Sequence, residues 1–219
     1  MNSLKVLILA GGHSSRMGAP KHLLSLPDGP LYVQLVKVLS EALPETETVY
    51  FSIANRSDLD ETLRKGVLFL LSGNNPGPNS VKLQLVQDEA EQDIGPAAGL
   101  LAAHHHDPVA TWLVIACDFP LLQAATVRQL IDSYEAPVTC FRNAEGYSEP
   151  LLGIWSPRAL QNLHENVKCG RSGPSYTLKG LNGKLIQPIQ DEWLTNVNTP
   201  QEWQAAKRRT QQAQTKVEP

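Results

Sequence analysis

Long apolar runs are missing from this 219-residue chain: none approaches the roughly 20 residues a helix needs to cross a bilayer, and a soluble chain is expected. No leader is expected either. Residues Met1 to Lys5 run straight into Val6-Leu7-Ile8-Leu9, too short for a signal core and followed by Gly11-Gly12 where a cleavage site would stand, so the expected address is cytoplasmic. Cysteine is scarce. Cys117, Cys140 and Cys169 are odd in number, far apart and never in a CxxC pair, which argues against a disulfide framework, a zinc ribbon or a dithiol redox site and for reduced thiols. Excess positive charge is absent too: 19 Lys and Arg against 22 Asp and Glu leave -3, so any polyanion must be held by local devices and not by a basic face. Lys207-Arg208-Arg209 is the one basic cluster, and the four tryptophans are scattered, none in a basic groove that would stack single-stranded nucleic acid. Neither nucleic acid nor membrane is an expected partner, and no internal repeat is visible.

What is present is a regular alternation. Runs rich in Val, Leu and Ile at residues 5–9, 48–53, 82–87, 111–116 and 136–141 read as strands. Between them, residues 31–43, 57–65, 97–105 and 124–134 carry an apolar face at helical spacing. Strand and helix in turn predict an α/β chain: a three-layer αβα sandwich with a mostly parallel, doubly wound sheet whose ligands belong at the carboxyl ends of the strands. After Phe141 the alternation lapses, with a strand expected at 149–155, a helix at 157–166, a short strand at 184–189 and a last helix from Pro200 carrying Trp203. Residues 72–80 are dense in Gly, Pro, Asn and Ser and read as a mobile, non-catalytic surface loop. An apolar content of 42% supports one core, so residues 1–205 are expected to form a single domain, with residues 206–219 a polar, disordered tail.

The first strand opens into Leu9-Ala10-Gly11-Gly12-His13-Ser14-Ser15-Arg16-Met17-Gly18-Ala19-Pro20-Lys21. Paired glycines just past a strand let backbone N–H groups approach a phosphate, and Arg16 and Lys21 add the positive charge a triphosphate needs. The string matches neither the GxxxxGK[ST] phosphate loop nor the GxGxxG dinucleotide fingerprint.

It resembles the LAGGxSxRMGxxK signature of the nucleotidyltransferase family typified by molybdenum cofactor guanylyltransferase, the MobA-like family. Further blocks follow in that family's order: Ile53-Ala54-Asn55-Arg56, Gln87-Asp88, Gly95-Pro96-Ala97-Ala98-Gly99, Ala116-Cys117-Asp118-Phe119-Pro120, Glu149-Pro150-Leu151 and Asn196-Val197-Asn198-Thr199-Pro200. Together they span Leu9 to about Trp203. The resemblance implies the three-layer sandwich already expected, and a reaction of GTP with molybdenum-bound molybdopterin that yields the guanine dinucleotide cofactor and pyrophosphate. A molybdoenzyme or cofactor carrier would receive the product.

Asp118 ends an apolar strand, where the sheet presents ligands, and is the expected ligand for magnesium, an ion that favours hard oxygen donors and keeps water and substrate phosphate in its shell. By resemblance Asn198, and after it Asn196, lie near the metal and phosphates; a plain N-cap before Pro200 is the alternative. The resemblance also places Leu9, Ala10, Gly11, Gly12, Lys21, Asn55, Asp88, Gly95, Gly99 and Asp118 around the nucleotide, with Arg16, Lys21 and Asp118 as the catalytic set. For Gly99 a steric packing role stands beside the ligand role. His104-His105-His106 point about 100° apart, so at most two rings share an ion, and a solvated helix end is expected. Cys117 is expected to be a small buried residue. Ala10-Gly11-Gly12 in place of Ala-Ala-Gly suits a purine, whereas Pro20-Lys21 resembles the cytidylyl branch. CTP, a sugar or polyol phosphate acceptor, and a non-catalytic nucleotide-binding regulatory or carrier protein therefore remain alternatives.

Overall fold

The computed structural model describes residues 3–10, 17–53, 59–69, 80–87 and 94–215. Its centre is β1 (Leu4–Leu9), apolar and buried from Val6 to Leu9, flanked in parallel by β4 (Thr48–Ile53) and β7 (Thr111–Ala116). Strands that read as unbroken apolar runs are covered on both faces, and all six residues of β7 are buried. Beyond β4 come β6 (Ser80–Gln87), parallel, and the short edge strand β5 (Val67–Phe69), antiparallel. On the other side β9 (Ser148–Trp155) runs antiparallel to both β7 and β8 (Val138–Arg142), and β10 (Lys184–Ile186) closes that edge parallel to β8. The full order is β10-β8-β9-β7-β1-β4-β6-β5, with β2 (Ser25–Leu26) and β3 (Gly29–Pro30) forming a separate small hairpin.

Helices cover both faces, as the alternation predicts. Against one face pack α1 (Leu31–Ala42), α2 (Glu61–Lys65), α4 (Ala124–Asp132) and α7 (Pro200–Thr215), in a core that includes Leu35, Phe51, Leu113, Leu130 and Trp203. Against the other pack α3 (Pro96–His106), α5 (Pro157–Lys168) and α6 (Pro174–Gly180), around Leu100, Trp112, Trp155 and Leu163. Each apolar side chain fully buried is worth about 1.5–3 kcal/mol, so these two layers, and not helix propensity, hold the sandwich. At the starts of α5 and α2 a side chain supplies the cap: Ser156 Oγ accepts from the Ala159 N–H at 3.2 Å ahead of Pro157, and Asp60 accepts from the Leu63 N–H at 2.8 Å.

Four expectations need correcting. The second helix begins at Glu61, not 57, because Asp60 caps it. The strand expected at 184–189 stops at Ile186. The tail expected to be disordered from residue 206 is helical to Thr215, since Trp203, Ala206 and Thr210 are buried and dock the helix. His104, expected in solvent, is buried; its Nε2 lies 3.3 Å from Gln161 Oε1 on α5, while His105 and His106 are exposed. The loop expected at 72–80 lies outside the described residues apart from Ser80, which opens β6. Among the described residues no helix is long and apolar enough to cross a membrane.

Candidate functional site

The two central strands end side by side. Leu9 pairs with Ala116, and the Cys117 N–H donates to the Leu9 carbonyl at 3.0 Å, carrying the ladder one residue beyond β7. Asp118 follows at once. Its carbonyl accepts from the Val197 N–H at 2.9 Å, which fastens the segment before α7 across the end of the sheet.

That fastening builds a chain of side chains. Lys21 Nζ donates to Asn198 Oδ1 at 2.7 Å, Asn198 Nδ2 donates to Asn196 Oδ1 at 2.9 Å, and Asn196 Nδ2 donates to Asp118 Oδ2 at 2.9 Å. A cation and a carboxylate are thus joined through two amides, not by direct contact. The start of α7 steadies the chain. Glu202 accepts from the Asn198 N–H at 2.7 Å and the Thr199 N–H at 2.9 Å, while the Glu202 N–H donates to Thr199 Oγ1 at 3.3 Å, a reciprocal capping box. These backbone N–H donors hold the Glu202 carboxyl below its usual range.

Asp118 is the strained member. Burial pushes its carboxyl above the usual range, against the opposing pull of the Lys21 charge and the Asn196 amide. Its Oδ1 is buried with no hydrogen-bond partner among the described residues. An ionised oxygen covered from water and left unpaired is costly unless a ligand completes it, and a hard cation is the partner that suits it. Among the described residues no group of three or more His, Cys, Asp or Glu could hold a metal unaided, so substrate oxygens and water would have to complete the shell. Cys117, next in chain, is no competitor: burial, with the Asp118 charge second, pushes its thiol well up, so it carries no ready thiolate.

Of the residues expected at the site, Lys21, Asp118, Asn196 and Asn198 come together. Asn198 was expected beside the metal, but its amide oxygen is engaged by Lys21, and the amide that touches Asp118 is that of Asn196. Leu9 is buried and Ala10 donates its N–H to the Ser52 carbonyl at 2.9 Å, so that N–H serves the sheet. A Cβ on Gly99 would come within 2.5 Å of Ser52 Oγ and 2.6 Å of a Leu9 methyl, which assigns it the packing role: its absence of side chain lets α3 lie close on β1 and β4. Gly95 holds φ +61° and ψ -143° just before Pro96, a backbone form open to glycine, and so sets the entry of α3. Gly11, Gly12, Arg16, Asn55 and Asp88 lie outside the described residues.

Glu149 was quoted in a motif but not as a site residue. It is half-buried at the start of β9, Asn143 Nδ2 donates to its Oε1 at 2.9 Å, and burial followed by the Asp118 charge among its causes raises its carboxyl. The signal that could have found it is its place at the end of a strand bordering β7.

A family model for a MobA-like NTP transferase domain matches residues 6–179. The chain belongs to the MobA-like NTP transferase family. It is 30% identical over 90% of its length to a molybdenum cofactor biosynthesis bifunctional protein of Synechocystis sp., of which it spans about half, 52%. It is 28% identical to a probable molybdenum cofactor guanylyltransferase of Synechococcus elongatus, covering 91% of this chain and 95% of that one. Among solved structures, the molybdopterin-guanine dinucleotide biosynthesis protein A of Archaeoglobus fulgidus superposes with a TM-score of 0.69 at 18% identity, over 95% of this chain and 99% of that one. At that identity the structural likeness speaks for the fold alone, the three-layer αβα sandwich. Membership of the MobA-like family makes this chain a nucleotidyltransferase.

Proposed function

We propose that this chain moves GMP from GTP to a molybdopterin-type phosphate acceptor, forming the guanine dinucleotide cofactor. An acceptor phosphate oxygen attacks the α-phosphorus, the bond from that phosphorus to the β-phosphate oxygen breaks, and pyrophosphate leaves. The observation that carries the reading is the Lys21–Asn198–Asn196–Asp118 chain: a cation and a carboxylate joined through two amides, the carboxylate with one buried oxygen that has no hydrogen-bond partner among the described residues. Names of relatives support the choice of GTP and molybdopterin over other pairs.

In this reading Lys21 leaves Asn198 for the triphosphate and neutralises charge that grows on the leaving oxygens, with Arg16 and the glycine-loop N–H groups beside it. Asp118, with substrate oxygens and water, would hold Mg2+, which would supply Lewis-acid chemistry there. No protein nucleophile is called for, in keeping with the raised thiol of Cys117. Residues 1–205 act as one transferase domain, and α7, docked through Ala206 and Thr210, belongs to its support. The enzyme works in the cytoplasm and passes its product to a carrier or molybdoenzyme.

The test is pyrophosphate release from a panel of GTP, CTP, UTP and ATP with magnesium, with and without molybdopterin. Release only with GTP and only with molybdopterin is the expected result. Preference for CTP, for which Pro20-Lys21 speaks, would replace the nucleotide but keep the reaction; release only with sugar phosphates would replace the acceptor.

A further inference from the structure

The Lys21-to-Asp118 chain does not use Glu149. β9 runs antiparallel to β7 with Leu152 opposite Ile115. Asp118 lies three residues after Ile115 and Glu149 three residues before Leu152, so the two segments leave the last pair of that ladder by equal steps, and the Asp118 charge acts on the Glu149 carboxyl. On its other side Glu149 stands opposite Phe141 of β8, after an irregularity in which β8 advances one residue while β9 covers Gly153 to Glu149. Bulges of this kind re-aim a strand's side chains at a sheet end, often beside a site. Asn143 then orients the carboxylate by donating to Oε1 at 2.9 Å.

Two like charges that act on each other, one with a buried oxygen unpartnered among the described residues, make poor neighbours for an anionic substrate. The sheet order decides which substrate meets them. β1, β4 and β6, whose ends carry the glycine loop and the segments of Asn55 and Asp88, lie to one side of β7, while β9 and β8 lie to the other. With the nucleotide on the first side, the acceptor phosphate has to approach past Glu149. Its charge would be repelled there unless a cation sat between.

We propose that Glu149 and Asp118 together bracket one divalent cation, with Glu149 its ligand on the acceptor side. This rests on the reading that Asp118 belongs to a nucleotidyl-transfer site. Water and substrate phosphate complete the shell, as is usual for magnesium held by one or two carboxylates.

Binding of Mn2+, read by electron paramagnetic resonance on the full chain with an α,β-methylene GTP analogue and no acceptor, tests this apart from turnover. Glu149→Gln is expected to weaken Mn2+ at least about tenfold, Glu149→Asp to recover part of the loss, and Asp118→Asn to lose more. Should Glu149→Gln fold poorly, as its melting curve would reveal, Asn143→Ala serves instead, by freeing Oε1 and weakening Mn2+ by a smaller factor. Wild-type Mn2+ affinity in Glu149→Gln overturns the inference, and so does an effect confined to the KM of the acceptor, which would make Glu149 a direct acceptor contact. If the wild-type chain yields no product from GTP while Glu149→Gln still loses Mn2+, the proposed reaction falls and the cation site stands.

Discussion

Two lysines from the first strand and the segment after it meet carboxylates at opposite ends of the sheet, and they do so in opposite ways. At the amino ends of the strands, Lys5 pairs directly with Asp107 at 2.5 Å, over the rings of Tyr50 and Trp112 at 5.4 and 5.8 Å. Asp107 also accepts from the Val109 N–H at 3.2 Å. Each partner stabilises the other's charge: the hydrogen bond to Asp107 raises the Lys5 ammonium, and the hydrogen bond from Lys5 lowers the Asp107 carboxyl. At the carboxyl ends, Lys21 and Asp118 are kept apart by Asn196 and Asn198, and the carboxyl is raised instead of lowered. The satisfied pair closes an edge of the fold. The unsatisfied one has charge to offer a ligand.

The widest separation of the two ends comes from Asp118→Asn. Turnover at saturating magnesium is expected to fall by about a thousandfold or more, of the order of 4 kcal/mol in barrier. The ligand-free protein should at the same time melt higher near pH 7. The sign follows from the raised carboxyl: a buried group whose folded pKa lies above its unfolded one costs stability while ionised, and the cost fades as pH falls through the folded value. The melting advantage of the Asn variant should therefore shrink in acid. Calorimetry against pH checks this, and a lower melting temperature at neutral pH would mean that the Asp118 charge is paired after all.

Next in size, Lys21→Ala should lower turnover by about ten to a hundredfold, the loss of roughly 1.4–2.7 kcal/mol of charge stabilisation, with little change in melting. Steady-state rates with GTP decide it; an unchanged rate removes Lys21 from the reaction. Smaller still, Thr199→Ala should cost about 1 kcal/mol of stability through the cap of α7, and loosen the Asn196–Asn198 segment enough to lower activity severalfold. Denaturant titration beside rate measurement separates the two.

The least effect is expected from Lys5→Met: at most about 1 kcal/mol, since the Lys5–Asp107 pair is near the surface, and no change in rate. Its pH profile runs opposite to that of Asp118. The lowered Asp107 contributes stability above its unfolded pKa and loses it as pH falls through the folded value; the raised Lys5 contributes below its own unfolded pKa and loses it as pH rises through the folded value. The difference between wild type and Lys5→Met should thus be flat at neutral pH and vanish at both extremes. An activity loss here would break the division between the two ends.

Much of this was legible in the chain and some was not, for reasons that particular residues make plain. The central strands at 48–53 and 111–116 fall where their apolar runs predict, because short runs rich in β-branched, aromatic and aliphatic residues have few other homes in an α/β fold. The helix at 57–65 was read too long because Asp60 is both a plausible helix residue and a better cap. The tail past residue 206 was read as loose because its composition is polar. Burial of Ala206 and Thr210 is a matter of the surface they meet, which composition does not reveal. At the site, Asp118 and Lys21 stood out by position and charge. That Asn198 answers to Lys21 and Asn196 to Asp118 did not, since those partners are 177 and 78 residues apart.

By itself, then, the sequence determined the layering, the family and the kinds of groups available: a glycine loop after the first strand, a lysine past it, an aspartate at the end of another strand and a pair of asparagines before the last helix. These follow from short-range physics, since hydrophobic period, turn chemistry and charge are all local. Which of those groups touch was decided only in three dimensions. The sheet order that sets β9 beside β7, the closure of Val197 onto the Asp118 carbonyl and the register that pairs Ile115 with Leu152 all arise from burying both faces of one sheet at once. No local stretch of chain carries that constraint.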